Sequence, residues 1–507
     1  MPRYSLFFKL AIVIIAFLGL LDTSYMTWSE LSGIVPSCQP PFDCGRVLSS
    51  PWSHVGPVPL SAIGIVYYAT ILTVAILVFL DASERAQDFL LVLTTGGFLF
   101  SLYLVFVMAF VLNAWCLYCV GSALSSFLLF SICIPLFLTV RKRNLFHFFY
   151  VQICKPIFFL LDAEFVHNRM TEIGIFLGKF SITRFLTKIL FYFSHPKLSK
   201  KIAGISFPNP VGLSAGFDYD GQLTDILPSV GFGFATIGTV TLEPYGGNTK
   251  PRLSRFPRSQ ALLVNKGFKS SGAKVIIARL SNKNFTIPIG ISIGSTNKKY
   301  TTLMTQIDDI LQTFYLFEQS NVRHSYYELN ISCPNLSGGQ PFTTGDRLER
   351  LLSRLDKLKS KKPVFIKMPI DLSDTETLLL LTTAAHHQIA GVVFGNLTKD
   401  KNNPDVNVQD RALWKDRAGN VSGKPTWNRS NHAIILTKKH FKERFVIIGT
   451  GGIFSPQDAT EKMKLGANLV QLITGMIYEG PQLIGEINQY LTYKTVDNGK
   501  GTMYESK

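Results

Sequence analysis

Four of the seven cysteines in this 507-residue chain are spaced for thiol exchange. Cys116 and Cys119 form a C-x-x-C in "NAWCLYC", at the mouth of a long apolar run. Cys38 and Cys44 lie six residues apart in "PSCQPPFDCGRVLSSPW". A C-x-x-C that opens a helix has a leading thiol of lowered pKa, because the helix N-terminus favours the thiolate. Spacing of i and i+3 puts both thiols on one helix face. A loop pair that reaches this helix pair makes a relay, from substrate thiols to the loop and from the loop to the helix. The same C-x-x-C spacing also suits a static disulfide or half of a zinc site. Cys133 and Cys154 read as buried apolar residues.

The elements that position the dithiol are apolar runs at 6–21, 59–80, 89–112 and 117–140, each long enough to cross a hydrocarbon core roughly 30 Å thick. No A-x-A-like cleavage site follows the first run, so it reads as a retained helix. Arg3 and Lys9 flank the first run and "RKRN" at 141–144 follows the fourth, which predicts both ends in the cytoplasm and loops 22–58 and 112–116 outside. Disulfides persist on that outer side. A dithiol at membrane depth has a quinone as its natural electron acceptor. The net charge of +17 is accounted for by these flanks and by Lys and Arg in 155–201, suited to anionic lipid, so no nucleic-acid partner is expected.

The stretch "CGRVLSSPWSHVGPVPLSAIGIVYY" with "WCLYC" resembles the vitamin K epoxide reductase family, in its bacterial thiol-oxidising branch, over about residues 5–140. The resemblance implies a four-helix bundle around a quinone, with Cys116 and Cys119 facing the quinone and Cys38 and Cys44 as the shuttle. Many bacterial relatives carry a fused thioredoxin-like domain. None is visible here, which leaves the thiol donor open among extracytoplasmic proteins.

From residue 205 the pattern changes. Short β-rich segments alternate with longer helical ones: "PVGLSAG", "FATIGTV", "PIGISIG", "YYELNIS", "PVFIKMP", "GVVFGNL", "FVIIGTG" and "NLVQLIT". Eight such βα units in about 290 residues predict a (β/α)₈ barrel, whose chemistry sits at the C-terminal strand ends. A doubly wound sheet is the competing fold, but no G-x-G-x-x-G opens one. Thr239, Asn330, Cys333, Lys367 and Asn396 fall at those ends. "GTGGI" and "ITGMI" after the last two strands offer backbone N–H groups for a phosphate. Lys367 then reads either as a partner for a flavin's N1–C2 edge or as a surface charge.

The segments "YYELNISCPNLSGG", "FPNPVGLSAGFDYDG", "IGTVTLEPYGGNTKPRL", "FIKMP" and "LVQLITG" resemble dihydroorotate dehydrogenase, over roughly residues 150–490. That resemblance implies FMN, and oxidation of dihydroorotate to orotate as hydride leaves C6 and a base takes the C5 proton. It puts Cys333 on the base. FMN contacts fall on Ala215, Gly216, Thr239, Asn330, Lys367, Gly395, Gly423, Gly451, Gly452, Thr474 and Gly475. Substrate contacts fall on Asn335, Asn396, Tyr219 and Asn265. A cysteine base belongs to the soluble class of the family, whereas "PIFFLLDAEFVHNRM" resembles the N-terminal quinone-tunnel segment of the membrane-bound class. The pocket also departs from that class. Tyr219 in "FDYDG" stands where the substrate lysine is expected, an ungapped alignment gives Val264 for the loop asparagine with Asn265 next to it, and Leu397 replaces a threonine. Lys266 or Lys269 is the expected source of a replacement charge.

The expected organisation is a transmembrane unit at 1–142, an amphipathic helical arm at 143–200, an FMN barrel at 201–495 and a polar tail at 496–507. The expected protein is an integral membrane flavoenzyme with its barrel in the cytoplasm and its redox cysteines outside, each half delivering electrons to quinone. Two alternatives stand beside it: an FMN oxidoreductase for another substrate, and a non-catalytic flavin-binding scaffold. No metal site is expected.

Overall fold

A computed structural model describes residues 6–34, 36, 38–80, 84–136 and 142–497. The chain divides into two compact units, Met1–Asn144 and Leu145–Lys507. Arg3, Arg141 and residues 498–507 of the expected polar tail lie outside the described residues.

In the first unit four helices, α1 (Leu6–Leu31), α2 (Leu60–Phe79), α3 (Glu84–Phe106) and α4 (Leu117–Leu136), are long and apolar enough to cross a membrane. Only a narrow seam of each is buried, among Ile12, Ala16, Tyr68, Ile71, Ala75, Leu129 and Cys133, while Leu10, Ile14, Phe17 and Leu21 are exposed. That division suits helices solvated by lipid, where small residues let backbones approach. Gly19 and Gly64 are such residues: a Cβ on Gly19 would stand 2.3 Å from the Tyr68 ring, and one on Gly64 2.7 Å from Thr23. Helix α1 runs ten residues past the apolar run that predicts it, so the outer loop begins after Leu31 rather than at residue 22. Asp22, Thr23 and Ser24 interrupt the apolar pattern without ending the helix.

The second unit begins within a run of short helical segments that extends to Leu160, followed by α5 (Ala163–Lys179) and α6 (Ser181–Phe191). Asp162 caps α5, accepting a bond from the Phe165 N–H. Ile173, Phe176, Phe180, Ile182, Phe185 and Leu186 leave an apolar face of this arm exposed. Cys154, expected to be buried, is half-buried here, in the segment Tyr150–Cys154, which has no buried residue.

Eight parallel strands then close a barrel in chain order: β1 (Val211–Leu213), β2 (Phe234–Val240), β3 (Ile289–Ile293), β4 (Tyr326–Asn330), β5 (Val364–Met368), β6 (Gly391–Phe394), β7 (Val446–Thr450) and β8 (Leu469–Leu472). Each matches one of the eight apolar segments, because strands buried on both faces need apolar residues at consecutive positions. The interior is layered. Phe234, Tyr326, Phe365, Ile448 and Leu469 fill the N-terminal end, closed from below by Phe207. Two residues further along each strand the inward side chains turn polar, as with Thr236, Glu328, Lys367 and Gln471. A three-stranded antiparallel sheet of Leu253–Phe256, Ala261–Val264 and Asn420–Gly423 stands at the C-terminal mouth.

Candidate active sites

The barrel's C-terminal end holds a cavity lined by Ala215, Gly216, Tyr219, Thr239, Asn330, Cys333, Asn335, Lys367, Gly395, Asn396, Gly423, Gly451, Gly452, Thr474 and Gly475. Its polar wall is one continuous network. Lys367, at the end of β5, donates from Nζ to Ser214 Oγ at 3.1 Å and stands 3.7 Å from Glu328 Oε1. Ser292 donates to that carboxylate at 3.0 Å and meets Thr239 at 3.1 Å. Asn330 donates to Thr239 at 2.8 Å and accepts from the Ser332 hydroxyl at 2.9 Å. Asn396 reaches Ser332 at 2.6 Å. The network thus runs from the lysine of β5 to the asparagine after β6 with its donors held in place.

Cys333 lies against this wall in the turn after β4, buried. Burial pushes its thiol up to about 11, opposed by the Asn335 backbone N–H and the charge of Lys367. Asn335 lines the cavity, but its amide is also structural: it donates to the Val264 carbonyl at 2.8 Å and accepts from Asn420 at 2.6 Å.

The glycine turns are tightly constrained. Gly423, Gly451 and Gly452 have φ of +91°, +89° and +73°, which L side chains rarely adopt. A Cβ on Gly475 would stand 1.8 Å from the Ile453 carbonyl oxygen. These turns put backbone around one end of the cavity, with Ser422 and Thr474 hydroxyls 3.0 Å apart beside them. A cation and amides at one end and close-approach glycine backbone at the other make a cavity that a flavin nucleotide would suit.

The far wall departs from expectation. Leu262, Val264 and Lys266 line the cavity and Asn265 does not. The extended strand alternates faces, so Asn265 turns away and accepts from Asn248 at 2.9 Å. Lys266 is buried and bonded to Glu164 of α5 at 2.6 Å, and Arg252 meets the same carboxylate at 3.1 Å. The expected replacement cation is therefore already paired, and Lys269 is not among the lining residues. Tyr219 packs between His167, at a ring separation of 5.7 Å, and Lys266, whose Nζ lies 5.4 Å from the ring centre. Burial, with Lys266 and Lys269 nearby, pushes the His167 imidazole down to about 4, so this wall carries a neutral ring. Glu164 and His167 are invisible to local pattern, since their partners are far along the chain. Local pattern does point to Ser214, Glu328 and Ser332: Glu328 shares strand parity with Asn330 on β4, and Ser214 and Ser332 follow β1 and β4; Ser292 lies opposite Glu328 on the neighbouring strand.

In the first unit the four exchange-spaced cysteines share one apolar cluster with Val47, Met108 and Ala114. Cys38 and Cys44 are joined as a disulfide. Cys44 opens the short helix Cys44–Leu48, and the Asp43 N–H before it donates to the Trp115 carbonyl at 2.8 Å, tying the loop to the C-x-x-C. Cys116 is buried just before α4, and the Cys119 N–H points to its sulfur at 3.5 Å. The Cys119 thiol, followed by the first N–H groups of the helix, holds the Cys116 thiol below its ordinary value. Cys119 itself lines a second cavity, with Asp22, Tyr68, Ser122 and Ser126.

Comparison with known proteins matches both units. The family described as "Dihydroorotate dehydrogenase" matches residues 197–494, and the "Vitamin K epoxide reductase family" matches residues 10–134. A "Dihydroorotate dehydrogenase (quinone)" of Nostoc sp. is 37% identical over 315 residues, 61% of this chain and 82% of that protein. One of Chloroflexus aurantiacus is 36% identical over 366 residues, 69% of this chain and 98% of its own length. Among solved structures, the DHODH of Eimeria tenella in complex with ferulenol superposes with a TM-score of 0.57 at 25% identity, covering 66% of this chain and 92% of that one. The chain belongs to the dihydroorotate dehydrogenase family, as an oxidoreductase whose barrel follows a fused vitamin K epoxide reductase domain.

Proposed function

We propose that the barrel oxidises dihydroorotate to orotate, as a step of pyrimidine biosynthesis, with FMN as cofactor and a membrane quinone as final acceptor. The observation that carries this reading is the network from Lys367 to Asn396 beside the Cys333 thiol in one cavity. Cys333 takes the C5 proton of the substrate as its thiolate. Asn330 and Asn396 hold ring amide and carbonyl groups, and Asn335 adds its remaining donor. Lys367 places positive charge at the strand end. When bound, the flavin supplies the two-electron acceptor for the hydride of C6. The exposed apolar face of α5 and α6 supports contact with lipid and entry of a quinone.

The first unit, in the same proposal, oxidises extracytoplasmic dithiols through Cys38–Cys44 to Cys116–Cys119 and reduces quinone. Both units reduce quinone, so neither feeds the other; they share a pool and an anchor. The basic flanks support a cytoplasmic barrel and outer cysteines.

A second reading, an FMN oxidoreductase for another substrate, is favoured by Tyr219, by Asn265 facing away and by Lys266 bound to Glu164. Adding dihydroorotate anaerobically to the flavin-loaded full chain separates the readings. Bleaching of the flavin supports the first, an unreacted flavin that other dihydro-compounds bleach supports the second, and a flavin no donor reduces leaves only a scaffold.

A further inference from the structure

Helix α1 carries three Lys, Asp or Glu residues among its described side chains. Two stand near its ends and are engaged: Lys9 donates to the Phe79 carbonyl, and Glu30 pairs with His54 at 3.2 Å and accepts from Ser61 at 3.0 Å. The third, Asp22, stands inside the apolar span Phe8–Leu31, and among the described residues its carboxylate has neither a hydrogen bond nor an ion pair. An ionisable group at membrane depth is costly and faces a cavity or a partner. Asp22 faces the cavity that Cys119 lines.

The surroundings are built for a polar guest. Cys119, Ser122 and Ser126 recur at i, i+3 and i+7, so they form one stripe down α4. The Tyr68 hydroxyl from α2 meets that stripe at the Ser122 carbonyl (2.9 Å) and at Ser126 Oγ (3.1 Å). The Tyr68 ring reaches α1 because Gly19, three residues before Asp22, leaves room for it. Thiol, hydroxyls and carboxylate thus meet around one cavity inside an otherwise apolar bundle.

We propose that Asp22 is the proton carrier of this cavity, and this rests on the reading of the unit as a quinone-linked dithiol oxidase. In the step, Cys116 and Cys119 lose two electrons and two thiol protons as their S–S bond forms. The quinone gains both electrons and two protons and leaves as the quinol. Protonated Asp22 gives its proton to one quinone oxygen. The carboxylate so formed takes the proton leaving Cys119, which restores it. The proton of Cys116 is released to solvent, and the second quinone oxygen takes one from solvent.

The test uses the purified full chain in nanodiscs, with dithiothreitol as donor and a short-chain ubiquinone as acceptor. Asp22→Asn keeps the shape and removes the proton, so kcat falls by about 10²–10⁴, while KM for the quinone stays within about threefold, as expected when only the proton is lost. Asp22→Glu recovers most of the rate. Alkylation trapping reports folding: in Asp22→Asn, reduced Cys38 and Cys44 are still oxidised by the Cys116–Cys119 disulfide. An Asp22→Asn chain with wild-type kcat overturns the assignment, and so does an inactive Asp22→Glu or a variant that loses the exchange, since the residue is then structural. A wild-type chain that reduces no quinone with dithiol overturns the thiol-oxidation reading and the assignment with it.

Discussion

Cys333 is the residue on which the barrel's chemistry turns, and burial sets its behaviour. A thiol pushed up to about 11 is protonated at neutral pH, and only its thiolate can take a proton. The thiolate fraction rises tenfold per pH unit below that value, so flavin reduction by dihydroorotate should climb with unit slope from neutral into alkaline solution. A flat profile measured by stopped-flow would mean that the base is another group or that a bound ligand lowers the thiol. Cys333→Ala should keep FMN, because the network from Lys367 to Asn330 does not pass through the sulfur. Its rate of flavin reduction should fall by about 10²–10⁴, the range for losing a positioned base. Cys333→Ser should recover little at neutral pH, since a hydroxyl is harder still to deprotonate. An alanine variant reducing flavin at the wild-type rate would leave Cys333 as a small buried residue in a turn.

Elements were legible in the sequence to the extent that their burial is uniform. The eight barrel strands stand out as apolar runs because both faces are covered, and glycine turns mark where backbone must approach closely. The apolar pattern stops ten residues short of the end of α1 because Asp22, Thr23 and Ser24 break it, although Asp22 and Thr23 face a cavity that a helix can line. Asn265 departs from the expected substrate contact for a related reason: along Leu262, Val264 and Lys266 every second residue faces the cavity, and a shift of one reverses the face. Long-range pairing was invisible. Glu164 on α5 and Lys266 beside the mouth are 102 residues apart, yet they form one of the ties between arm and barrel. Glu164→Gln leaves buried Lys266 and half-buried Arg252 without their counter-charge, which should cost about 3–5 kcal/mol, read as a lowered urea midpoint of the solubilised chain. Glu164→Gln with Lys266→Met should recover much of that loss. Equal midpoints for the single variant and wild type would show that solvent screens this pair.

The whole molecule joins two redox units in one chain, and each can be tested against the other. Cys119→Ala should stop quinone reduction by dithiols while the chain keeps its FMN, because the two units are separately compact. Loss of flavin in that variant would contradict their independence. In intact cells, after reduction, a membrane-impermeant thiol reagent should label the half-buried Cys38 but not Cys333; labelling of Cys333 from outside would reverse the proposed orientation. The central claim is that the barrel is a working dihydroorotate oxidase despite Tyr219 and the Lys266–Glu164 pair. Anaerobic mixing of dihydroorotate with the purified full chain, followed through the visible absorption of the flavin, tests it most directly. The flavin should bleach with one orotate formed per flavin, and added ubiquinone should restore its colour. A flavin that stays oxidised under saturating dihydroorotate, yet bleaches with dithionite and recovers with ubiquinone, would contradict the claim.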